Sequence, residues 1–283
     1  MNLTDSNEIR ALLQRHGFHF SKALGQNFLI ASWVPRRIAE SSLADAGTGV
    51  LEIGPGIGCL TEQLSQCAGK VVALELDRRL QPLLKETLSA CPNVKLLFTD
   101  AVKTDLRTLI EEEFEGLRPV VCANLPYQVT SPLLLKLLDV KELEVITVMI
   151  QREVAERICA SPGCSDYGAF SLRVQWDMEA EILFSVPPSC FMPQPGVTSS
   201  VIRLVRRGSP PASVRDEAAM FRLIRAAFGQ RRKTLANAVS SQLPELKREA
   251  VEQALLACGL DTRIRGENLS IAQFAQLSDE IFR

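Results

Sequence analysis

V-L-E-I-G-P-G-I-G-C-L, residues 50–60, is an apolar run that breaks into three glycines at every second position. Glycine lets a backbone turn tightly and approach a ligand with no Cβ in the way. The spacing is G-x-G-x-G, not the dinucleotide G-x-G-x-x-G. Alone it marks a strand-to-helix turn, with or without a ligand. The surrounding rhythm decides its meaning. Apolar, β-branched runs recur as GVLEI (49–53), KVVALEL (70–76), VKLLFT (94–99), PVVCA (119–123) and EVITVMI (144–150). Near-continuous hydrophobicity is the pattern of strands buried on both faces. Segments of helix length, such as DRRLQPLLKETLSA (77–90), lie between them. Strand-helix alternation predicts an α/β fold with a parallel, doubly wound sheet.

After residue 165 the rhythm changes. Segments 169–186 and 198–206 read as strands without an intervening helix, an antiparallel addition to the sheet edge. RRGSPPAS (206–213) reads as a linker, and 214–283 as helices only. The expected organisation is a domain over 1–206 with an N-terminal arm over about 1–28, a linker over 207–213 and a helical domain over 214–283.

Bulk properties exclude several classes. A net charge of −1 leaves no global basic excess, so any nucleic-acid surface must be local. No apolar run approaches the ~20 residues that span a bilayer, and MNLTDSNEIR has neither part of a signal peptide. Eight cysteines without a C-x-x-C pair read as reduced residues of a cytoplasmic protein. His16 and His19 are the only histidines, too few and too isolated for a metal site.

Ligands of open α/β sheets bind at the carboxyl ends of the strands. The glycine turn of Gly54 and Gly56 closes the first strand, Glu75 the second and Asp100 the third. A carboxylate at Glu75 would accept two ribose hydroxyls, and one at Asp100 would accept from an adenine amine. Two acids and no second phosphate cradle fit an adenosine ligand lacking a pyrophosphate, namely S-adenosylmethionine. The fourth strand ends in Asn124-Leu125-Pro126-Tyr127. Pro126 has fixed φ and no N–H, and it biases Leu125 toward extended geometry. The Leu125 carbonyl and the Asn124 amide oxygen then form two fixed acceptors for an exocyclic amine. They would stabilise the positive charge that grows on adenine N6 during methyl transfer, while Tyr127 offers a stacking face to a flipped-out base. A strand end followed by a helix cap remains the plainer alternative. Thr130 and Ser131 are expected to cap the next helix.

These motifs carry a family resemblance. N-L-P-Y after such a glycine turn resembles the N6-adenine methyltransferases. Lys22-Ala23-Leu24-Gly25-Gln26-Asn27-Phe28-Leu29 resembles the LGQNFL signature of the rRNA adenine dimethylases. VPPSCFMPQPGVTSS (186–200) resembles their F-x-P-x-P-x-V-x-S loop, and FGQRRKTL (228–235) and RGENLSIAQFAQLSD (265–279) resemble the small-subunit (KsgA/RsmA) branch. The resemblance runs from about residue 16 to the end. It implies a Rossmann-like S-adenosylmethionine-dependent methyltransferase sheet with a small helical C-terminal domain. It also implies N6,N6-dimethylation of two adjacent adenosines in the 3′-terminal hairpin loop of 16S rRNA, on a precursor small subunit; nothing in the sequence demands more than a monomer. In this family's terms Asn27 and Leu29 lie along the cofactor, as do Gly54, Glu75 and Asp100. Asn124 touches cofactor and substrate, and Phe191 packs on the base opposite Tyr127. The role of Phe191 comes from the resemblance alone. Gly196 and Thr198 depart from the family's basic or amide residue and its Asp.

Between residues 203 and 233 stand nine Lys or Arg and two acids. Phosphate contacts dominate nucleic-acid affinity, so Arg222, Arg225, Arg231, Arg232 and Lys233 are the expected RNA-binding residues. Arg36 and Arg37 are ambiguous and read equally as cover for a helix. Three alternatives stand beside the favoured reading: a large-subunit rRNA methylase of the Erm type, a DNA N6-adenine methylase, and an assembly factor that binds RNA without catalysis.

Overall fold

The computed structural model describes residues 1–21 and 24–283. Nine strands occur among them: β1 (Phe28–Leu29), β2 (Thr48–Ile53), β3 (Lys70–Glu75), β4 (Val94–Phe98), β5 (Arg118–Asn124), β6 (Val145–Gln151), β7 (Met178–Val186), β8 (Phe191–Met192) and β9 (Ser199–Arg206). The five runs read as buried strands are β2 to β6, but β4, at the sheet edge with one side open, is only part-buried. β2 is buried at every position, and β6 at every position but its last.

Seven strands form one sheet in the order β4-β3-β2-β5-β6-β9-β7. β4, β3, β2, β5 and β6 run parallel, and β9 pairs antiparallel with β6 from Val145↔Val205 to Gln151↔Ser199. The fold is α/β and Rossmann-like. Connections from β2 and β5 leave in opposite directions across the sheet, which opens a crevice at their carboxyl ends. β1 and β8 form a separate antiparallel pair, with Leu29 opposite Phe191. This pair joins the N-terminal arm to the loop after β7.

The chain divides into two compact units. The first comprises Met1–Ala155 and Ala180–Arg206, the second Glu156–Glu179 and Arg207–Arg283. The second unit thus takes in residues 156–179, which lie inside the stretch 1–206 expected as one domain. Tyr167, Leu172 and Trp176 pack into its core with Met220, Phe221 and Phe274. Residues 169–177, expected as strand, form the helix Ala169–Asp177 instead. Leu172, Val174 and Trp176 alternate as in a strand, yet Leu172 and Trp176 are also four apart and share a helix face. Arg173 and Asp177 form an i,i+4 ion pair, and the Ser171 hydroxyl accepts from the Gly168 N–H at the helix start. Among the described residues no helix is long and apolar enough to cross a membrane, and no cluster of three metal-ligating side chains occurs.

Candidate active site

β2 ends at Ile53 and the chain turns through Gly54, Gly56 and Gly58, with φ of +74°, +61° and +92°. Side chains rarely adopt these values. At Gly56 a Cβ would lie 3.2 Å from the Phe28 ring, so the glycine also lets the N-terminal arm close down on the turn. Gly58 then caps the helix Cys59–Cys67.

Glu75 ends β3 and is 6% exposed. Its Oε1 accepts from the Asp77 N–H at 2.8 Å and its Oε2 from the Gly56 N–H at 3.3 Å. Burial pushes its carboxyl above the usual range, while those two N–H groups pull it back in part. The second strand end is thereby tied to the glycine turn of the first. Asp77 extends the tie, because Gln26 of the arm donates to it at 2.7 Å. Beyond β4, Asp100 accepts from the Val102 N–H at 2.9 Å.

β5 delivers Asn124. The Leu125 N–H donates to the Met149 carbonyl at 3.1 Å, which fixes the peptide leading into Pro126. Pro126 sits at φ −59°, ψ 127°. The Tyr127 hydroxyl is 2.6 Å from Ser199 Oγ at the start of β9, so the phenol ring is held at both ends. Burial raises the Tyr127 phenol, and the Ser199 contact opposes it. The expected cap on the next helix is not formed. Thr130 Oγ1 donates back to the Pro126 carbonyl at 3.1 Å instead, and the helix Thr130–Leu138 has no side-chain cap. The hydroxyl therefore braces the Pro126 turn.

These strand ends enclose one cavity of about 360 Å³. Asn27, Leu29, Gly54, Gly56, Glu75, Asp100, Asn124, Leu125, Pro126, Tyr127 and Phe191 all line it. Of the arm motif, Lys22 and Ala23 lie outside the described residues. Phe191 is 1% exposed, so it is a buried wall of the cavity rather than an open platform.

Several lining residues belong to no motif. Glu52, inside β2, is 1% exposed. Neither its Oε2 nor the neighbouring Thr61 Oγ1 has a partner of good geometry. Burial pushes the Glu52 carboxyl up to about 8; the nearby Thr61 hydroxyl opposes that and Glu75 reinforces it. The only sequence signal for Glu52 is an acid within an apolar run. Leu76 and Val102, beside Glu75 and Asp100, leave 56% and 39% of their surfaces exposed at the cavity lip.

Residues 17–282 match the family described as ribosomal RNA adenine dimethylase. The chain belongs to this family. As a family member it is an enzyme, an rRNA adenine dimethyltransferase. It is 49% identical over 276 residues to Ribosomal RNA small subunit methyltransferase A of Geobacillus thermodenitrificans, covering 96% of this chain and 94% of the relative. The protein of the same name from Listeria monocytogenes is 48% identical, covering 95% and 92%. Among solved structures, a dimethyladenosine transferase from Plasmodium falciparum superposes with a TM-score of 0.75 at 26% identity, covering 88% of this chain and 95% of that one. The 23S rRNA methyltransferase ErmE gives 0.68 at 26%, covering 90% and 100%.

In the dimethylase's helical unit the expected RNA-binding residues differ in surroundings. All five are exposed. Arg222 pairs with Glu245 at 3.3 Å and lies over the Phe282 ring. Arg231 donates to the carbonyls of Ser165 and Tyr167 at 2.6 and 3.0 Å and pairs with Glu267 at 3.3 Å. Its guanidinium thus fastens segment 165–167 within its own unit. Among the described residues Arg225, Arg232 and Lys233 carry no such bond.

Proposed function

We propose that this dimethylase transfers methyl groups from S-adenosylmethionine to N6 of two adjacent adenosines in the 3′-terminal hairpin loop of 16S rRNA. It would act in the cytoplasm on a precursor of the small subunit. The observation that carries the reading is the convergence of the Asn124–Tyr127 turn, the glycine turn and the two strand-end acids on one cavity.

The lining fits the cofactor. The unpartnered Glu52 Oε2 is a ready acceptor for the α-ammonium of a methionine moiety. Glu75 suits vicinal ribose hydroxyls, and the exposed Leu76 and Val102 suit the two faces of an adenine whose amine reaches Asp100. Asn27 and Leu29 would close over it from the arm. When bound, the cofactor supplies an electrophilic methyl group on a sulfonium.

The chain's own part is positioning. The Asn124 side-chain oxygen and the Leu125 carbonyl accept the two N6–H bonds of the unmethylated adenine and the one that remains for the second transfer, and N6 gives up one proton to solvent in each round. Their dipoles stabilise the positive charge that develops on N6. The ring of Tyr127, held by Ser199, supports one face of the base, and Phe191 bounds the other side. No metal and no strong general base is required. Arg225, Arg232 and Lys233 would neutralise RNA phosphates.

The 49% identity to a small-subunit enzyme, against 26% to ErmE, supports the small-subunit substrate over the large-subunit alternative. Purified protein with radiolabelled S-adenosylmethionine should label unmethylated small subunits at two adenosines. Label confined to large-subunit RNA would overturn the substrate assignment.

A further inference from the structure

Arg36 and Arg37 take no part in the cavity. They lie on the helix Trp33–Ser41, just beyond β1. Trp33 opens that helix and is 42% exposed, unusual for so large an apolar ring. Its ring centroid is 5.9 Å from that of Phe184 on β7, at an interplanar angle of 54°. On Phe184 lies the Arg37 guanidinium, with Cζ 4.2 Å from the ring centroid. Indole, phenyl and guanidinium thus form a continuous ladder. Arg36 pairs with Glu40 at 3.3 Å. Arg37, by contrast, has no carboxylate partner among the described residues, so its charge remains for an anion.

The ladder borders a hollow of about 790 Å³, separate from the cofactor cavity except for Cys59. Trp33, Arg36 and Arg37 line it together with Glu62, Gln63 and Gln66. Amide and carboxylate side chains suit the edge of a base, and an aromatic ring and a guanidinium suit its face and its phosphate. The hollow is also close to the reacting site. Trp33 lies four residues beyond Leu29, hence within roughly 14 Å of it even if extended. Leu29 is paired with Phe191 across β1 and β8, and the Ile30 N–H donates to the Cys190 carbonyl at 2.8 Å.

We propose that Trp33, Phe184 and Arg37 form a stacking platform for an unpaired nucleotide of the RNA substrate flanking the target adenosine, with its base edge in the hollow beside Gln63 and Gln66. The proposal rests on the RNA-methylating function above. A protein partner fits less well. Such interfaces bury roughly 800 Å² per side around an apolar centre, and here one exposed indole is set among Arg36, Arg37, Glu40 and Glu62.

Trp33 is a built-in reporter, because Trp176, the second of two tryptophans, is 2% exposed. Titrating the full chain with an unmethylated hairpin-loop RNA oligonucleotide should quench its fluorescence. Trp33→Ala should raise the RNA Kd and KM about tenfold, as for loss of one stacked base, with S-adenosylmethionine affinity unchanged in calorimetry. Trp33→Phe should recover most of the loss, which a purely structural role for the indole would not predict. Arg37→Ala should lower the slope of log affinity against log salt by ~0.7. If the wild type binds and methylates the RNA but Trp33 is unquenched and Trp33→Ala binds normally, the platform is refuted and the function stands. If the wild type fails to bind any small-subunit RNA, both readings fall. A change in sedimentation of Trp33→Ala with intact RNA affinity would refute the platform and assign the patch to a second copy of the chain.

Discussion

The strand-end cavity and the basic segment 222–233 handle charge in opposite ways. In the cavity, Glu75 and Glu52 are 6% and 1% exposed, and Glu75 is fixed by backbone N–H groups. In the basic segment Arg225, Arg232 and Lys233 project into solvent, where any one of them interacts weakly and is screened by salt. A buried group acts alone and from one position, so replacing it should cost much. An exposed cation shares its work with its neighbours, so replacing it should cost little. The largest losses should therefore come from the cavity and the smallest from the basic segment.

Asn124→Ala removes one of two acceptors aimed at N6 while leaving the strand end in place. By analogy with loss of one preorganised dipole, kcat should fall about 10²–10³-fold. Cofactor affinity should stay measurable by calorimetry. Turnover within a few-fold of wild type would refute the role given to Asn124 and remove the sharpest point of the comparison.

Glu52 tests the buried side through pH. Its folded-state carboxyl lies near 8, above the unfolded value of 4.5. Between those values the folded chain holds a proton that the unfolded chain has lost. Stability of the cofactor-free protein should therefore fall as pH rises from about 4.5 and level off above about 8, for a total on the order of a few kcal/mol. Glu52→Gln should flatten that fall in urea titrations. It should also weaken S-adenosylmethionine about 10- to 100-fold, the scale of one charge-assisted bond. At pH 7 wild-type binding should release a proton, detected as a buffer-dependent calorimetric enthalpy. Equal enthalpies in all buffers would show that the ammonium does not meet Glu52.

Ser199→Ala should act through Tyr127. It leaves the phenol half-buried without its 2.6 Å partner, a loss of ~1 kcal/mol, or roughly five- to tenfold, expressed in kcat. Tyr127→Phe removes the same bond, so the double variant should be no worse than the poorer single one. Additive losses would mean that the hydrogen bond does not orient the ring.

Much of the sheet and the cavity is legible in the sequence, and the rest is hidden for physical reasons. β2, β3, β5 and β6 are readable because both of their faces are largely covered, which demands continuous apolar runs, whereas β4 at the sheet edge is only part-buried. The cavity residues are readable because a parallel sheet puts its strand ends together whatever the side chains. The helix Ala169–Asp177 is not, because Leu172, Val174 and Trp176 satisfy two periodicities at once. Glu52 could not be valued, since a lone acid in a strand shows nothing of its burial. The bond from Tyr127 to Ser199 spans 72 residues and exists only once β9 pairs with β6.

Arg231, Arg232 and Lys233 form the finest test, because sequence makes them equivalent and structure does not. Arg231 bonds two carbonyls and Glu267 within its unit. Arg231→Ala should therefore release segment 165–167 and lower thermal stability, by about 1–3 kcal/mol for charge-assisted bonds that are part-exposed. Arg232→Ala and Lys233→Ala should leave the melting temperature unchanged. Each should weaken RNA binding only a few-fold and reduce the salt slope by less than about one unit. A large stability loss for Arg232→Ala, or a salt slope moved only by Arg231→Ala, would reverse the assignment. It would also mean that a cation already bonded in its own unit serves RNA better than a free one. Desolvation argues against that, since a guanidinium bound by carbonyls and a carboxylate must break those contacts before it can take a phosphate.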